Sequence, residues 1–186
     1  MTRHADYPID SLYLNRWSPR AFSDKKVSRE TLYTILEAAR FAPSASNIQP
    51  WRFIVAQTEE ELATFSEFIA PGNRVWTDNN VPAFILLLAD KYRPNGELNP
   101  YYAFDAGAAW QSLALQASQL GLVTHALGGF SKDKAREVLQ IPDQYEVLTL
   151  IALGYQGDKN RLPKELQERE APNDRRPLSE SIVSFK

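Results

Sequence analysis

Hydrophobic positions along this chain follow helical spacing in some stretches and run unbroken in others. Between Val27 and Phe41, Leu32, Ile35, Leu36 and Ala39 recur at helical spacing, Ser28 stands as N-cap, and Pro43 stops the segment. Trp51 to Ala56 predicts a strand. Thr58 with Glu61 three residues on is a capping box opening a second helix, expected to end near Pro71. Ala83 to Ala89 is an uninterrupted apolar run between Pro82 and Asp90, the mark of a mid-sheet strand buried on both faces.

The segment from about Tyr102 to Leu120 carries Ala106, Ala109, Trp110, Leu113, Ala117 and Leu120 on one stripe, with Gly121 as its C-terminal cap. Ala108, Ser112 and Leu115 make the other side small or apolar as well. That predicts a helix buried in a core or a subunit interface, and the interface is the favoured reading. Leu122 to Leu127 then reads as a strand, Ser131 to Leu139 as a short helix and Tyr145 to Gly154 as a strand. From Asp158 onward Arg, Lys, Glu and Pro dominate, and Pro163, Pro172 and Pro177 prevent any long regular element. The order of elements is α+β. With no repeat, low-complexity stretch or linker, residues 1–186 are expected to form a single domain.

Composition narrows the chemistry. A formal net charge of −2 without a basic stripe argues against nucleic acid as partner. The longest apolar run falls far short of the roughly 20 residues of a membrane span, and Arg3, His4, Asp6 and Asp10 interrupt any signal peptide, so no membrane partner and a cytoplasmic location are expected. The absence of cysteine removes thiolate nucleophiles, disulfides and cysteine-bound metals, and two histidines, His4 and His125, make a histidine metal site hard to build. An enzyme with this composition borrows its reactive group.

Three separated segments are rich in donors suited to a planar, anionic ligand: Arg16 to Arg20, Pro43 to Gln49, and Arg175 to Pro177. In an extended backbone Arg16, Ser18 and Arg20 share one side. The bland alternative is a solvated pair of surface arginines. Ser44, Ser46, Asn47 and Gln49 lie between two prolines in a loop fit to hydrogen-bond a heterocycle, or simply to make a turn. His125 as a general base beside Ser44 or Ser46 is a poor reading, because no G-x-S-x-G elbow is present. "GGF" at 128–130 lacks the lysine of a P-loop, and no G-x-G-x-x-G follows a strand.

"RWSPRAF" at 16–22, "APSASNIQPWRFIV" at 42–55, "DAGAAWQSLALQASQLGLVTHALGGF" at 105–130 and "RRPLSESI" at 175–182 together resemble the FMN-dependent nitroreductase family, in order and across nearly the whole chain. The second stretch is the most specific. The resemblance implies a nitroreductase-like fold: a central, mostly antiparallel sheet flanked by helices, with the long helix at a homodimer interface. The tail 158–186 is then expected to be extended and packed on the partner subunit. Arg16, Ser18 and Arg20, with Trp17 between them, would bind the FMN phosphate, ribityl chain or pyrimidine edge, and Arg175 would close on the phosphate. Pro43, Ser44, Ala45 and Asn47 would reach the same flavin from the neighbouring subunit, and Leu127, Gly128 and Gly129 would lie along the ring. Arg20 is the candidate cation for the reduced pyrimidine. Relatives place a proline and an acidic residue in the flavin loop where this chain has Ala126 and Gly128, which implies backbone contacts there.

The activity so implied is hydride transfer from NADH or NADPH, through FMN, to a small acceptor such as a nitroaromatic, quinone or conjugated carbonyl compound, by a ping-pong mechanism and with no catalytic side chain. The alternatives are a flavin-binding sensor or carrier without turnover, and a dehalogenating or flavin-destroying member of the same fold. Trp76, Tyr101 and Tyr102 are aromatic candidates for a pocket wall.

Overall fold

The computed structural model describes residues 3–78 and 80–185. Four strands, β1 (Trp51–Ala56), β2 (Ala83–Asp90), β3 (Val123–Leu127) and β4 (Tyr145–Gly154), form one antiparallel sheet in the order β1-β2-β4-β3. The helices are α1 (Ser11–Asn15), α2 (Arg29–Arg40), α3 (Glu59–Ser66), α4 (Pro71–Thr77), α5 (Tyr102–Gln119), α6 (Lys132–Val138) and α7 (Lys164–Gln167). This is the α+β architecture expected.

Sheet parity divides the core in two. On β2, Phe84, Leu86 and Leu88 face a cluster with Phe65 and Phe68 around α3, Trp76 of α4 and Ala135 of α6. Ala83, Ile85, Leu87 and Ala89 face the other way, onto Leu32, Ile35 and Ala39 of α2 and Ala106, Ala109, Leu113 and Ala117 of α5. Burial of both faces explains why β2 has no polar residue before Asp90. On β4 the parity flips at a bulge. Leu87 pairs with Thr149 but Leu88 with Val147, so Leu148 is an extra residue, and Val147 and Leu150 reach the same cluster despite their odd spacing. Beside the bulge, the Thr149 hydroxyl donates to the Leu127 carbonyl at 3.2 Å, tying it to the end of β3.

Helix ends follow local chemistry. Ser28 caps α2 through the Thr31 N–H, and Thr58 and Glu61 form the expected reciprocal capping box. Helix α5 closes in a Schellman motif: Leu122 N–H donates to Ala117 O at 2.8 Å and Gly121 N–H to Ser118 O at 3.1 Å, with Gly121 at φ +75°. The expectation of a helix ending near Pro71 is corrected. α3 stops at Ser66, and Pro71 instead begins α4, where the first helical position needs no N–H donor. α1 went unanticipated because only Asp10, accepting the Leu12 N–H at 2.7 Å, announces a helix of five residues.

Candidate active site

Just after α1, the chain runs without regular structure from Arg16 to Arg20 along the edge of the fold. Arg16 is half-buried and its guanidinium reaches the Ser18 hydroxyl at 3.4 Å, so the side-chain alternation expected in this stretch holds for that pair. Two further arginines gather there. Arg3 donates from Nη1 to Arg16 O at 2.5 Å and Leu14 O at 3.2 Å, and from Nε to Asn173 O at 2.8 Å. Arg175 follows Asp174, whose carboxylate accepts the backbone N–H groups of Arg175 and His4. Burial, then Arg3, then Arg175 lower the pKa of Arg16. The pKa of Arg3 is likewise lowered, by burial and by Arg175, against a smaller opposite effect of Asp174.

Among the described residues, no ion pair is made by Arg3, Arg16, Arg20 or Arg175. Like charges held together without an ion pair are unfavourable by themselves and become favourable once a multiply charged anion enters. The donor set therefore fits a phosphate. The reading of Arg16 as a solvated surface residue does not describe a half-buried guanidinium beside two others. Arg3 went unrecognised in the sequence, since nothing near it marks a site.

The same segment is met by β3 at its middle residue. His125 donates from Nδ1 to Pro19 O at 3.0 Å, the carbonyl fixing the tautomer, and its ring lies 4.9 Å from that of Trp76. Burial, the largest effect, lowers the His125 pKa, with Arg20 acting in the same direction and the Pro19 carbonyl opposing. Trp76 is 1% exposed, so it is a support for this edge rather than an open pocket wall. Its Nε1 donates to Asn73 Oδ1 at 3.2 Å, and Asn73 Nδ2 donates to Gly129 O at 3.0 Å. Leu127 is buried, whereas Gly128 is exposed, with nothing within 4 Å of where a Cβ would stand. At Gly129 a Cβ would meet Asn73 Nδ2 at 2.6 Å, so a larger residue there would push the Asn73 amide away from its partners.

Glu170, also unrecognised in the sequence, is buried at 8% exposure, and its Oε1 accepts the backbone N–H groups of Arg20 at 2.7 Å and Ala21 at 2.8 Å. One protomer thus brings Arg16 to Arg20, His125 of β3 and the 170–175 stretch together, while Gly129 is tied to the same support through Asn73 and Trp76.

Pro43 to Asn47 is held elsewhere. The Ala45 N–H donates to Asp105 Oδ2 at 3.2 Å at the start of α5, and the Ser44 hydroxyl accepts the Gln49 N–H at 3.0 Å. Ser46, Asn47 and Gln49 all have φ between 52° and 54°, a left-handed backbone that costs free energy in three non-glycine residues so close together. Among the described residues no hydrogen bond joins this loop to the arginine segment. A concavity of about 1190 Å³, lined by residues such as Asp24, Lys26, Glu59, Glu60, Arg74 and Asp78, contains none of these groups.

Comparison with known proteins shows what this chain is similar to. A crystallised oxidoreductase containing FMN is 42% identical, with a TM-score of 0.93 over 99% of this chain and 95% of that one. An Archaeoglobus fulgidus protein named as a candidate NADH dehydrogenase/NAD(P)H nitroreductase is 36% identical over 81% of this chain and 86% of its own. An FMN reductase (NADPH) from Bacillus subtilis is 29% identical over 82% of this chain and 69% of its own. The nitroreductase family model matches residues 13–81 and 73–155, and the chain belongs to the nitroreductase family.

Proposed function

We propose that this protein is an FMN-dependent oxidoreductase that takes hydride from NADH or NADPH and reduces a small conjugated acceptor, such as a nitroaromatic, quinone or conjugated carbonyl compound. The carrying observation is the cluster of Arg3, Arg16 and Arg175, without an ion pair among the described residues, on the segment that His125 of β3 holds through the Pro19 carbonyl. Arg16, Arg175 and Ser18 hold the phosphate, with Trp17 in the same stretch, and Arg3 braces the backbone carbonyl of Arg16. Arg20 faces the pyrimidine end, and the backbone from Leu127 to Gly129 lines the ring. Bound FMN supplies the hydride-accepting and hydride-donating chemistry, and the protein contributes orientation and charge. Donor and acceptor use the same open face in turn, which is a ping-pong order requiring no side-chain acid or base.

The site is completed by a second copy of the chain. Phe104, 80% exposed on α5, Phe41, 74% exposed just after α2, and Val183 and Phe185 of the tail are large apolar side chains left open to solvent, as expected of a surface that a partner covers. Packing of α5 on its symmetry mate would cover that surface, place the tail 158–186 on the partner, and bring Pro43, Ser44, Ala45 and Asn47 to the partner's flavin. No helix among the described residues is long and apolar enough to cross a membrane.

Titrating flavin-free protein with FMN and with riboflavin tests the phosphate assignment. FMN is expected to bind at least about tenfold more tightly, since charge-assisted contacts are each worth about 1.5–3 kcal/mol. Equal affinity would remove the arginine cluster from the site.

A further inference from the structure

The Pro19–Arg20 peptide group is gripped at both of its polar ends by side chains remote in sequence. Its carbonyl accepts from His125 Nδ1 at 3.0 Å, and its N–H donates to Glu170 Oε1 at 2.7 Å. The same Glu170 oxygen accepts the next amide, Ala21, at 2.8 Å. Such help is needed because the stretch from Arg16 to Pro19 belongs to no helix or strand and Pro19 has no N–H. Downstream of the grip the chain is tied conventionally, by Gly157 N–H to Ala21 O at 2.8 Å and Ser23 N–H to Tyr155 O at 2.9 Å.

We propose that His125 and Glu170 are positioning residues for Arg20: by fixing the plane of the Pro19–Arg20 peptide they aim its guanidinium at the flavin. The inference rests on the placement of Arg20 at the pyrimidine end. Three observations favour aim over simple tail anchoring. The Arg20 guanidinium has no hydrogen-bond or ion-pair partner among the described residues, so no other side chain competes with a ligand for it and the point from which it reaches out is set by its backbone. Glu170 is buried with its second oxygen, Oε2, lacking a protein partner, an arrangement costlier than an anchoring residue requires. The His125 ring also rests against Trp76, which holds Asn73 and through it Gly129 O, so one support carries both the arginine segment and the glycine loop.

His125→Phe is the cleanest probe. Burial keeps the imidazole neutral near pH 7.5, so the substitution removes the donor to Pro19 without changing charge. In the FMN-loaded protein the flavin midpoint potential is expected to fall, because a misaimed Arg20 stabilises the reduced ring less, and the FMN Kd is expected to rise about tenfold. Glu170→Ala should raise the Kd by a similar factor. Glu170→Gln, whose carbonyl can still accept both amides, should recover most of the affinity. Folding is followed by Tm, and if Glu170→Ala does not fold, the His125→Phe potential decides. A His125→Phe protein with unchanged potential overturns the inference. Arg20→Ala separates the two levels: if it lowers the potential and His125→Phe does not, the grip fails and the site stands, whereas no change in Arg20→Ala removes both.

Discussion

Asp105, 2% exposed in the first turn of α5, accepts the backbone N–H of Ala45 at 3.2 Å and so fastens the serine and asparagine loop to the long helix. Replacing it with Ala leaves that amide unsatisfied beside a strained backbone. Asp105→Ala is expected to cost about 1–3 kcal/mol in chemical denaturation and to weaken FMN binding, with Asp105→Asn much closer to the parent. Unchanged stability and flavin affinity in the Ala variant would show that the loop holds its shape unaided.

Arg16→Ala removes the half-buried member of the arginine cluster. The FMN Kd should rise by about ten- to a hundredfold, corresponding to one or two charge-assisted hydrogen bonds, in a protein of parental fold. Adding salt should weaken FMN binding less in the variant than in the parent, because one screened charge is gone. A Kd within twofold of the parent would exclude Arg16 from the site.

Neighbouring glycines should respond differently. Gly128→Ala places a methyl group in open space and should leave the stability of flavin-free protein unchanged, while reducing FMN affinity if the ring passes close to that backbone. Gly129→Ala drives Asn73 from Gly129 O and from the buried indole N–H of Trp76, at a cost of about 1–3 kcal/mol. Equal melting temperatures for the two flavin-free variants would contradict this account of the loop.

Assembly is tested on the exposed side of α5. Trp110→Glu is expected to disturb assembly by charging a largely apolar helix. Trp110 is only half-buried and also packs on the core, however, so Phe104→Glu, at a residue 80% exposed, separates assembly from folding more cleanly. Sedimentation of Phe104→Glu as a folded monomer with weakened FMN binding is the expected result. A dimer that retains flavin as the parent does would place the interface elsewhere.

His125 makes stability depend on pH. Its folded pKa lies below the ordinary 6.5, so the unfolded chain binds the proton more readily and stability falls as pH drops through and below that value. Tm should decline from pH 7.5 to 5.5, and the decline should be shallower in His125→Phe. Identical slopes would show that the imidazole does not carry the effect.

Contacts between near neighbours were legible in the sequence: Ser28 with Thr31, Thr58 with Glu61, and Gly121 after α5 all act within a turn or two of where they stand. Pro71 misled because proline marks the end of one helix and the first residue of the next with equal force. The bulge at Leu148 is invisible because it alters which residue pairs with which, not which residues are apolar. Alternation and motif order pointed to Arg16 and Ser18, which the structure sets side by side, and motif order pointed to Gly128 and Gly129. Arg3, Asp105 and Glu170 were not, since a carboxylate or guanidinium that serves a backbone group up to 170 residues away leaves no periodic trace.

The central claim, a bound flavin reduced by a nicotinamide cofactor, is tested most directly by the visible absorbance spectrum of the purified FMN-loaded protein, recorded anaerobically before and after addition of NADH or NADPH. The predicted result is a flavin band bleached by at least one of the two and restored on adding a quinone. A colourless protein that does not take up FMN, or a flavin band that neither cofactor bleaches, would contradict the account.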